Sequence, residues 1–107
     1  MIKWRSRRPL HKYNAVQTVR DGHKFPSKKE ARYYDELKLA QASGLVSFFL
    51  RQVPAHMPGG GKIVIDFLVF YSDGTCEFVD TKGVKTTDYK IKKRVIETLY
   101  PFTIREV

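Results

Sequence analysis

The chain has 107 residues, with 20 Lys or Arg against 11 Asp or Glu, a formal net charge of +9 and an isoelectric point near 9.8. This length suits one domain, and a hydrophobic fraction of 42% is ordinary for a folded protein rather than a disordered one. No apolar run is long enough to cross a membrane, and a single cysteine, Cys76, excludes an internal disulfide and a cysteine-rich zinc cluster.

The positive charge is concentrated in two segments of the chain. Residues 1–29 carry nine Lys or Arg side chains and one acid, and residues 85–94 carry five against one acid. The stretch between them has more acids than bases. A basic surface is typical of proteins that bind nucleic acid, and central carboxylates suggest chemistry on phosphates. We predict a basic N-terminal arm over residues 1–12 and a single folded domain over residues 13–107.

The first half of this domain is predicted to contain a hairpin and one helix. The dipeptide Asp21-Gly22 is typical of a tight turn between two short strands. Ser27 is a favourable helix N-cap with Glu30 three residues later, which is the capping-box pattern. The helix should run to about Ser43, because Gly44 is placed to end it. Its predicted inward face consists of Tyr33, Tyr34, Leu37 and Ala40.

The second half is predicted to form three strands, a helix and a last strand. Apolar runs separated by turn residues place these elements at Val46–Val53, Lys62–Tyr71, Thr75–Lys82, Asp88–Tyr100 and Phe102–Val107. Strands joined by short turns pair antiparallel, whereas a strand that follows a crossover helix returns parallel. We therefore expect an α/β fold with an αβββαβ core, in which helices flank a mixed four-stranded sheet. The predicted inward residues of the second helix are Ile91, Val95, Ile96 and Leu99.

Two acids and a lysine stand out in the predicted strands. Asp66 interrupts the apolar run IVIDFLVF, where an ionised carboxylate is costly unless it is paired or bound to a metal. The simpler explanations are that Asp66 forms a salt bridge with a neighbour or lies at the end of the sheet, and we favour the functional one. Asp80 and Lys82 lie two residues apart on one face of the next strand.

The turn between these strands decides whether the acids meet. If the loop has two residues, Asp66 and Asp80 lie on opposite faces of the sheet. If it covers Ser72–Gly74, with Gly74 in the left-handed conformation, the two aspartates face each other with Lys82 beside them. The local sequence is compatible with either turn. We predict the second, because paired carboxylates would bind Mg²⁺ or Mn²⁺, which activates water and neutralises charge on the phosphate. Lys82 would hold the attacking water or stabilise the charge of the transition state.

The segment Ile65-Asp66, followed after thirteen residues by Asp80-Thr81-Lys82, resembles the signature of the PD-(D/E)XK nuclease superfamily, with Ile in place of the usual Pro. The order of elements is similar to the restriction-endonuclease-like core of that superfamily. Residues 12–37 also resemble those of short phage-encoded members, some of them described as endonucleases or resolvase-like.

This resemblance implies roles for particular residues. Asp66, Asp80 and the backbone carbonyl of Thr81 would bind the metal, and Lys82 would be catalytic. A glutamate of the first helix often completes such a site and corresponds to Glu30, although the capping box explains that residue equally well. Gln52 is a weaker candidate, which we expect to be a polar residue at the sheet edge or beside the core.

The expected function is that of a metal-dependent endonuclease that hydrolyses DNA phosphodiester bonds, as a nicking or structure-selective enzyme. It would work in the cytoplasm, that of a bacterial host if the protein is phage-encoded, without a membrane partner. A monomer would nick one strand, and a homodimer would make paired cuts. The alternative is a non-catalytic basic nucleic-acid-binding protein with the same fold. The predicted DNA contacts are Lys3, Arg5, Arg7, Arg8, Lys85, Lys90, Lys93 and Arg94.

Overall fold

The computed structural model describes residues 18–83 and 85–107. The predicted arm, with Lys3, Arg5, Arg7 and Arg8, lies outside these residues. Among the residues described, no helix is long and apolar enough to cross a membrane. The elements in chain order are β1 (Thr18–Arg20), β2 (His23–Phe25), α1 (Lys28–Ala42), β3 (Val46–His56), β4 (Lys62–Tyr71), β5 (Cys76–Asp80), α2 (Thr87–Leu99) and β6 (Ile104–Glu106).

The main sheet has the strand order β3-β4-β5-β6. The first two pairs are antiparallel, and β5 pairs with β6 in parallel after the crossover through α2. Strands β1 and β2 form a separate antiparallel hairpin around Asp21 and Gly22, both of which have positive φ. The predicted α/β fold, with its αβββαβ core and mixed four-stranded sheet, is confirmed.

Helix α1 begins and packs as its sequence predicts. The Oγ of Ser27 accepts a hydrogen bond of 3.1 Å from the backbone N–H of Glu30, which satisfies one free donor of the first turn. Gly44 follows the helix with φ +88°, a conformation that costs glycine little. Tyr34 and Leu37 are buried against the sheet, with Tyr33 and Ala40 partly buried beside them.

Helix α2 presents a different face to the sheet from the one that its apolar residues predict. Its buried residues are Tyr89 and Ile96, which are seven positions apart and therefore share one side of the helix. In this rotation Tyr89 and Ile96 pack against β4 and β6, the Tyr89 hydroxyl bonds to β5, and the Lys93 ammonium lies 3.4 Å from Glu106 of β6. The prediction was correct for Ile96 and wrong for three exposed residues, Ile91, Val95 and Leu99.

The loop between β4 and β5 has three residues, Ser72–Gly74, as predicted. The backbone N–H of Tyr71 donates to the carbonyl of Thr75 at 2.8 Å, so these two residues close the hairpin. Gly74 has φ +92°, the left-handed conformation that this loop requires. The ladder runs from this loop to the pair Phe67 and Val79, and the next position brings Asp66 opposite Asp80.

Candidate functional site

The carboxylates of Asp66 and Asp80 cross-link the ends of β4 and β5. The backbone N–H of Asp66 donates to Oδ1 of Asp80 at 2.9 Å. In return, Oδ2 of Asp66 accepts from the backbone N–H and the Oγ1 hydroxyl of Thr81, both at 2.9 Å. Side-chain oxygens therefore continue the hydrogen bonding beyond the last backbone pair. The two residues are 7% and 0% exposed, so these donors replace the water that the charges would otherwise need.

Lys82 lies within ion-pair distance of both acids. Its Nζ lies 3.0 Å from Oδ1 of Asp80 and 3.8 Å from Oδ1 of Asp66. The same ammonium lies 5.2 Å from the centre of the Tyr89 ring, within reach of a cation–π interaction. One cation is thus shared by two carboxylate oxygens from neighbouring strands. The three residues that the sequence singles out are brought together.

Tyr89 belongs to the same cluster, and the sequence analysis missed it. Its hydroxyl donates a buried hydrogen bond of 2.6 Å to Oδ2 of Asp80. Burial and the negative charge of Asp80 both raise the pKa of Tyr89, so the phenol remains a donor at neutral pH. The available signal in the sequence is its place three residues after the N-cap Thr86, in the first turn of the helix that follows Asp80.

Glu30 points into the site rather than back to its own N-cap. Its Oε2 accepts hydrogen bonds from Nε2 of Gln52 at 2.9 Å and from Nη2 of Arg51 at 3.3 Å. The residue is 3% exposed. Burial raises the pKa of the Glu30 carboxyl, the negative charge of Asp66 raises it further, and Arg51 opposes the change. The sequence left open whether Glu30 belongs to the helix cap or to the site. In the structure its backbone N–H forms the cap, and its side chain contacts β3.

These groups line one side of a cleft of about 240 Å³ between the start of α1 and the end of β5. Asp80 is not part of the lining, because it lies beneath Lys82 and Tyr89 and is fully buried. The lining residues are Pro26, Ser27, Glu30, Asp66, Thr81, Lys82 and Gly83.

The donor chemistry of the cleft suits a hard cation, although the carboxylates do not form a ready-made cage. Within residues 18–83 and 85–107, no group of three or more His, Cys, Asp or Glu side chains is placed to hold a metal ion. Two carboxylate oxygens, one each from Asp66 and Asp80, already share the positive charge of Lys82. Carboxylate oxygens are the ligands that Mg²⁺ prefers, and in this structure the Lys82 ammonium occupies the place of a cation beside them.

The four basic residues predicted on and before α2 lie together on the surface. Two of them are partly neutralised by acids: Lys93 lies 3.8 Å from Glu97, and both Lys93 and Lys85 lie within 4.0 Å of Glu106. Lys90 and Arg94 are exposed. The groove that they form, of about 300 Å³, is lined by Lys85, Lys90, Lys93, Arg94, Glu97 and Glu106.

Comparisons with known proteins identify a family without assigning a function. Neither the curated proteins nor the solved structures contain a match to this chain. One family model matches residues 10–105, which is most of the sequence, and it is described as a protein of unknown function, DUF1064. The chain therefore belongs to the DUF1064 family.

Proposed function

We propose that this protein is a metal-dependent endonuclease that hydrolyses DNA phosphodiester bonds. The observation that carries the proposal is the convergence of Asp66, Asp80 and Lys82 at the edge of one cleft, on two neighbouring strands. Two acids and a lysine in this arrangement suit phosphate hydrolysis, because the acids attract a cation and the lysine stabilises negative charge on the phosphate. The resemblance of their spacing to the PD-(D/E)XK signature supports the same conclusion.

Burial of these acids also supports a functional role. A fold gains little from charged groups at such positions, since apolar residues of similar size often stabilise a protein as well or better. Here a dedicated set of donors bonds to the Asp66 and Asp80 side chains: two backbone N–H groups, the Thr81 hydroxyl and Lys82. We infer that the cluster serves chemistry in the cleft.

The residues that would hold Mg²⁺ or Mn²⁺ are Asp66, Asp80 and the backbone carbonyl of Thr81, with Glu30 beside Asp66 in the same cleft. When bound, the ion lowers the pKa of a water molecule and neutralises phosphate charge. Lys82 would leave its position between the acids and turn toward the phosphate, because its side chain is 31% exposed on the cleft side. DNA would contact the groove around Lys90 and Arg94.

A second candidate function is non-catalytic binding of nucleic acid. The observation that favours it is the complete pairing of Asp80, which is fully buried and accepts bonds from Asp66, Lys82 and Tyr89. A cluster in which each carboxylate oxygen of Asp80 already has a donor could stabilise the sheet without a metal. The two candidates differ in one measurable property, which is cleavage of DNA in the presence of Mg²⁺.

The test is a cleavage assay with supercoiled, linear and four-way-junction DNA, with Mg²⁺ or with a chelator. We expect Mg²⁺-dependent cleavage that Asp66→Asn and Asp80→Asn each abolish, while binding of DNA changes little. Asp88→Asn is the matched control, since Asp88 is exposed on α2 and pairs only with Lys92 in the described part of the chain. Cleavage by either site variant at the wild-type rate would refute the proposed metal site. Absence of cleavage by the wild type, with binding retained, would establish the second candidate.

A further inference from the structure

Gln52 has a backbone conformation that is unfavourable for its residue type. Its φ is +55° in the middle of the edge strand β3, where extended residues have negative φ. In the described part of the chain, the other non-glycine residue with positive φ is Asp21, which lies in a hairpin turn. A turn explains Asp21. Gln52 is flanked on both sides by paired strand residues, so its conformation needs another cause.

Gln52 lies in the same row of residues across neighbouring strands as Asp66 and Asp80 of the candidate site. The pairs Arg51 with Phe67 and Val53 with Ile65 continue on either side of Gln52 and bring it opposite Asp66. Asp66 in turn lies opposite Asp80, so one row crosses three strands. Backbone strain that persists in a folded protein is commonly found at functional sites, where surrounding contacts hold it.

The side chain of Gln52 spans from this row to helix α1. Its Nε2 donates to Oε2 of Glu30 at 2.9 Å, and Nη2 of Arg51 approaches the same oxygen at 3.3 Å. Arg51 is itself held by the Phe25 ring, whose centre lies 4.0 Å from its guanidinium carbon. Consecutive residues of an extended strand point to opposite faces. The left-handed backbone at position 52 is what allows both Arg51 and Gln52 to donate to one carboxylate.

We propose that Gln52 is a positioning residue for Glu30, and that the protein maintains an unfavourable backbone conformation to aim its amide. With both donors on Oε2, the Glu30 carboxylate is fixed beside Asp66 at the wall of the cleft. This inference rests on the nuclease function proposed above, in which Glu30 faces the metal and the phosphate. The competing explanation is that Arg51 alone holds Glu30 and that the conformation of Gln52 serves only to bend the edge strand.

Two variants separate positioning from folding. Gln52→Gly accepts φ +55° without strain but lacks the amide, so the relief of strain offsets part of the stability that is lost with the bond to Glu30, and the variant should remain folded. Gln52→Glu keeps the length and the strain but repels Glu30, so its melting temperature should fall. We expect at least a tenfold lower cleavage rate at saturating Mg²⁺ in both variants. Loss of activity in Gln52→Gly at a temperature at which thermal unfolding shows the variant to be fully folded is the signature of positioning.

A third variant, Gln52→Asn, keeps an amide and tolerates the left-handed conformation, but its side chain is one methylene too short to reach Glu30. It should lose activity as Gln52→Gly does. If the wild type cleaves DNA and Gln52→Gly cleaves at the same rate, the inference is refuted and the nuclease proposal stands. If the wild type does not cleave, the nuclease proposal fails. The contact between Gln52 and Glu30 is then tested by thermal unfolding of a double-mutant cycle that combines Gln52→Gly with Glu30→Gln. Non-additive effects would support positioning of Glu30, and additive effects would overturn it.

Discussion

The Tyr89 hydroxyl donates a hydrogen bond of 2.6 Å to Oδ2 of Asp80 and so joins the first turn of α2 to the end of β5. Both residues are buried, at 7% and 0% exposure. This bond holds the one acid of the cluster that has no contact with solvent, and it sets the rotation of α2 on the sheet.

Replacing Tyr89 by Phe should lower the free energy of unfolding by about 1–2 kcal/mol, because Oδ2 of Asp80 would remain buried without this donor. Urea denaturation monitors the change. Tyr100→Phe is the matched control, since the Tyr100 hydroxyl bonds to the His56 carbonyl at an exposed position. A loss for Tyr89→Phe no greater than that for Tyr100→Phe would show that the buried bond contributes little.

Gly74→Val should destabilise the protein by about 1 kcal/mol or more, because a β-branched residue resists positive φ. A Cβ at Gly74 would meet no atom within 4 Å, so crowding is excluded as the cause. Gly74→Asn, which tolerates this conformation, should cost less. Thermal unfolding compares the three proteins. Cleavage should fall beyond the loss of stability, since a slip of the hairpin by one residue turns Asp66 away from Asp80.

Lowering the pH should remove the contribution of Glu77 to the free energy of unfolding. Burial raises the pKa of Glu77, but hydrogen bonds from Arg105 and Tyr71 outweigh burial, and the net pKa lies below the usual 4.5. A lowered pKa in the folded state stabilises the protein above pH 4.5, and the contribution disappears as the pH falls through the folded pKa. Glu77→Gln should therefore be less stable at pH 7, by up to about 1 kcal/mol given partial exposure.

Unfolding by urea at several pH values would check this prediction. The difference between Glu77→Gln and the wild type should shrink steadily once the pH is below 4.5. Glu36→Gln, at an exposed position on α1, is the control and should change little at any pH. A difference that stays constant down to strongly acid pH would rule out the titration of Glu77 as its source.

The double variant Lys90→Gln/Arg94→Gln should weaken DNA binding and reduce the slope of log K against log salt by about 2, because each phosphate contact releases about one counterion. Fluorescence anisotropy at several salt concentrations measures the slope. Lys38→Gln, on α1 and away from this groove, should leave it unchanged. A slope equal to that of the wild type in the double variant would show that the groove does not contact DNA.

Deletion of residues 1–10 removes four further cations, Lys3, Arg5, Arg7 and Arg8. If the arm contacts phosphates, the deletion should reduce the salt slope by about 3–4 and weaken binding at low salt. The same anisotropy titration measures this effect. The melting temperature of the deletion variant is the control for folding. An unchanged slope would show that the arm makes no contact with phosphates.

The cluster of Asp66, Asp80 and Lys82 was accessible from sequence because it depends on local rules. Strand residues alternate between faces, and the length of one loop sets the register of a hairpin, so an assumption about Ser72–Gly74 was enough to place the two acids opposite each other. The helix that contains Glu30 could be predicted in the same way, because its N-cap Ser27 and the glycine that ends it, Gly44, lie next to it in the sequence.

Other parts of the site depend on contacts between distant segments and could not be predicted in this way. The rotation of α2 packs Tyr89 and Ile96 against β4 and β6 and bonds the Tyr89 hydroxyl to β5, and the apolar pattern within the helix does not indicate these contacts. The positive φ of Gln52 is coupled to Glu30, 22 positions away in the sequence. No short-range pattern indicates such a conformation for glutamine.

The irregular backbone of β3 also limits the regular edge of the main sheet. An outer strand with exposed Phe48 and Leu50 would ordinarily invite a neighbouring chain to extend the sheet and begin an aggregate. Regular pairing in β3 is interrupted near Val46 by a register shift and at Gln52 by the left-handed residue, and Pro54 has no N–H to offer. The longest uninterrupted stretch is Phe48–Arg51, so the conformation that directs Gln52 toward Glu30 also shortens the regular edge that β3 offers to another strand.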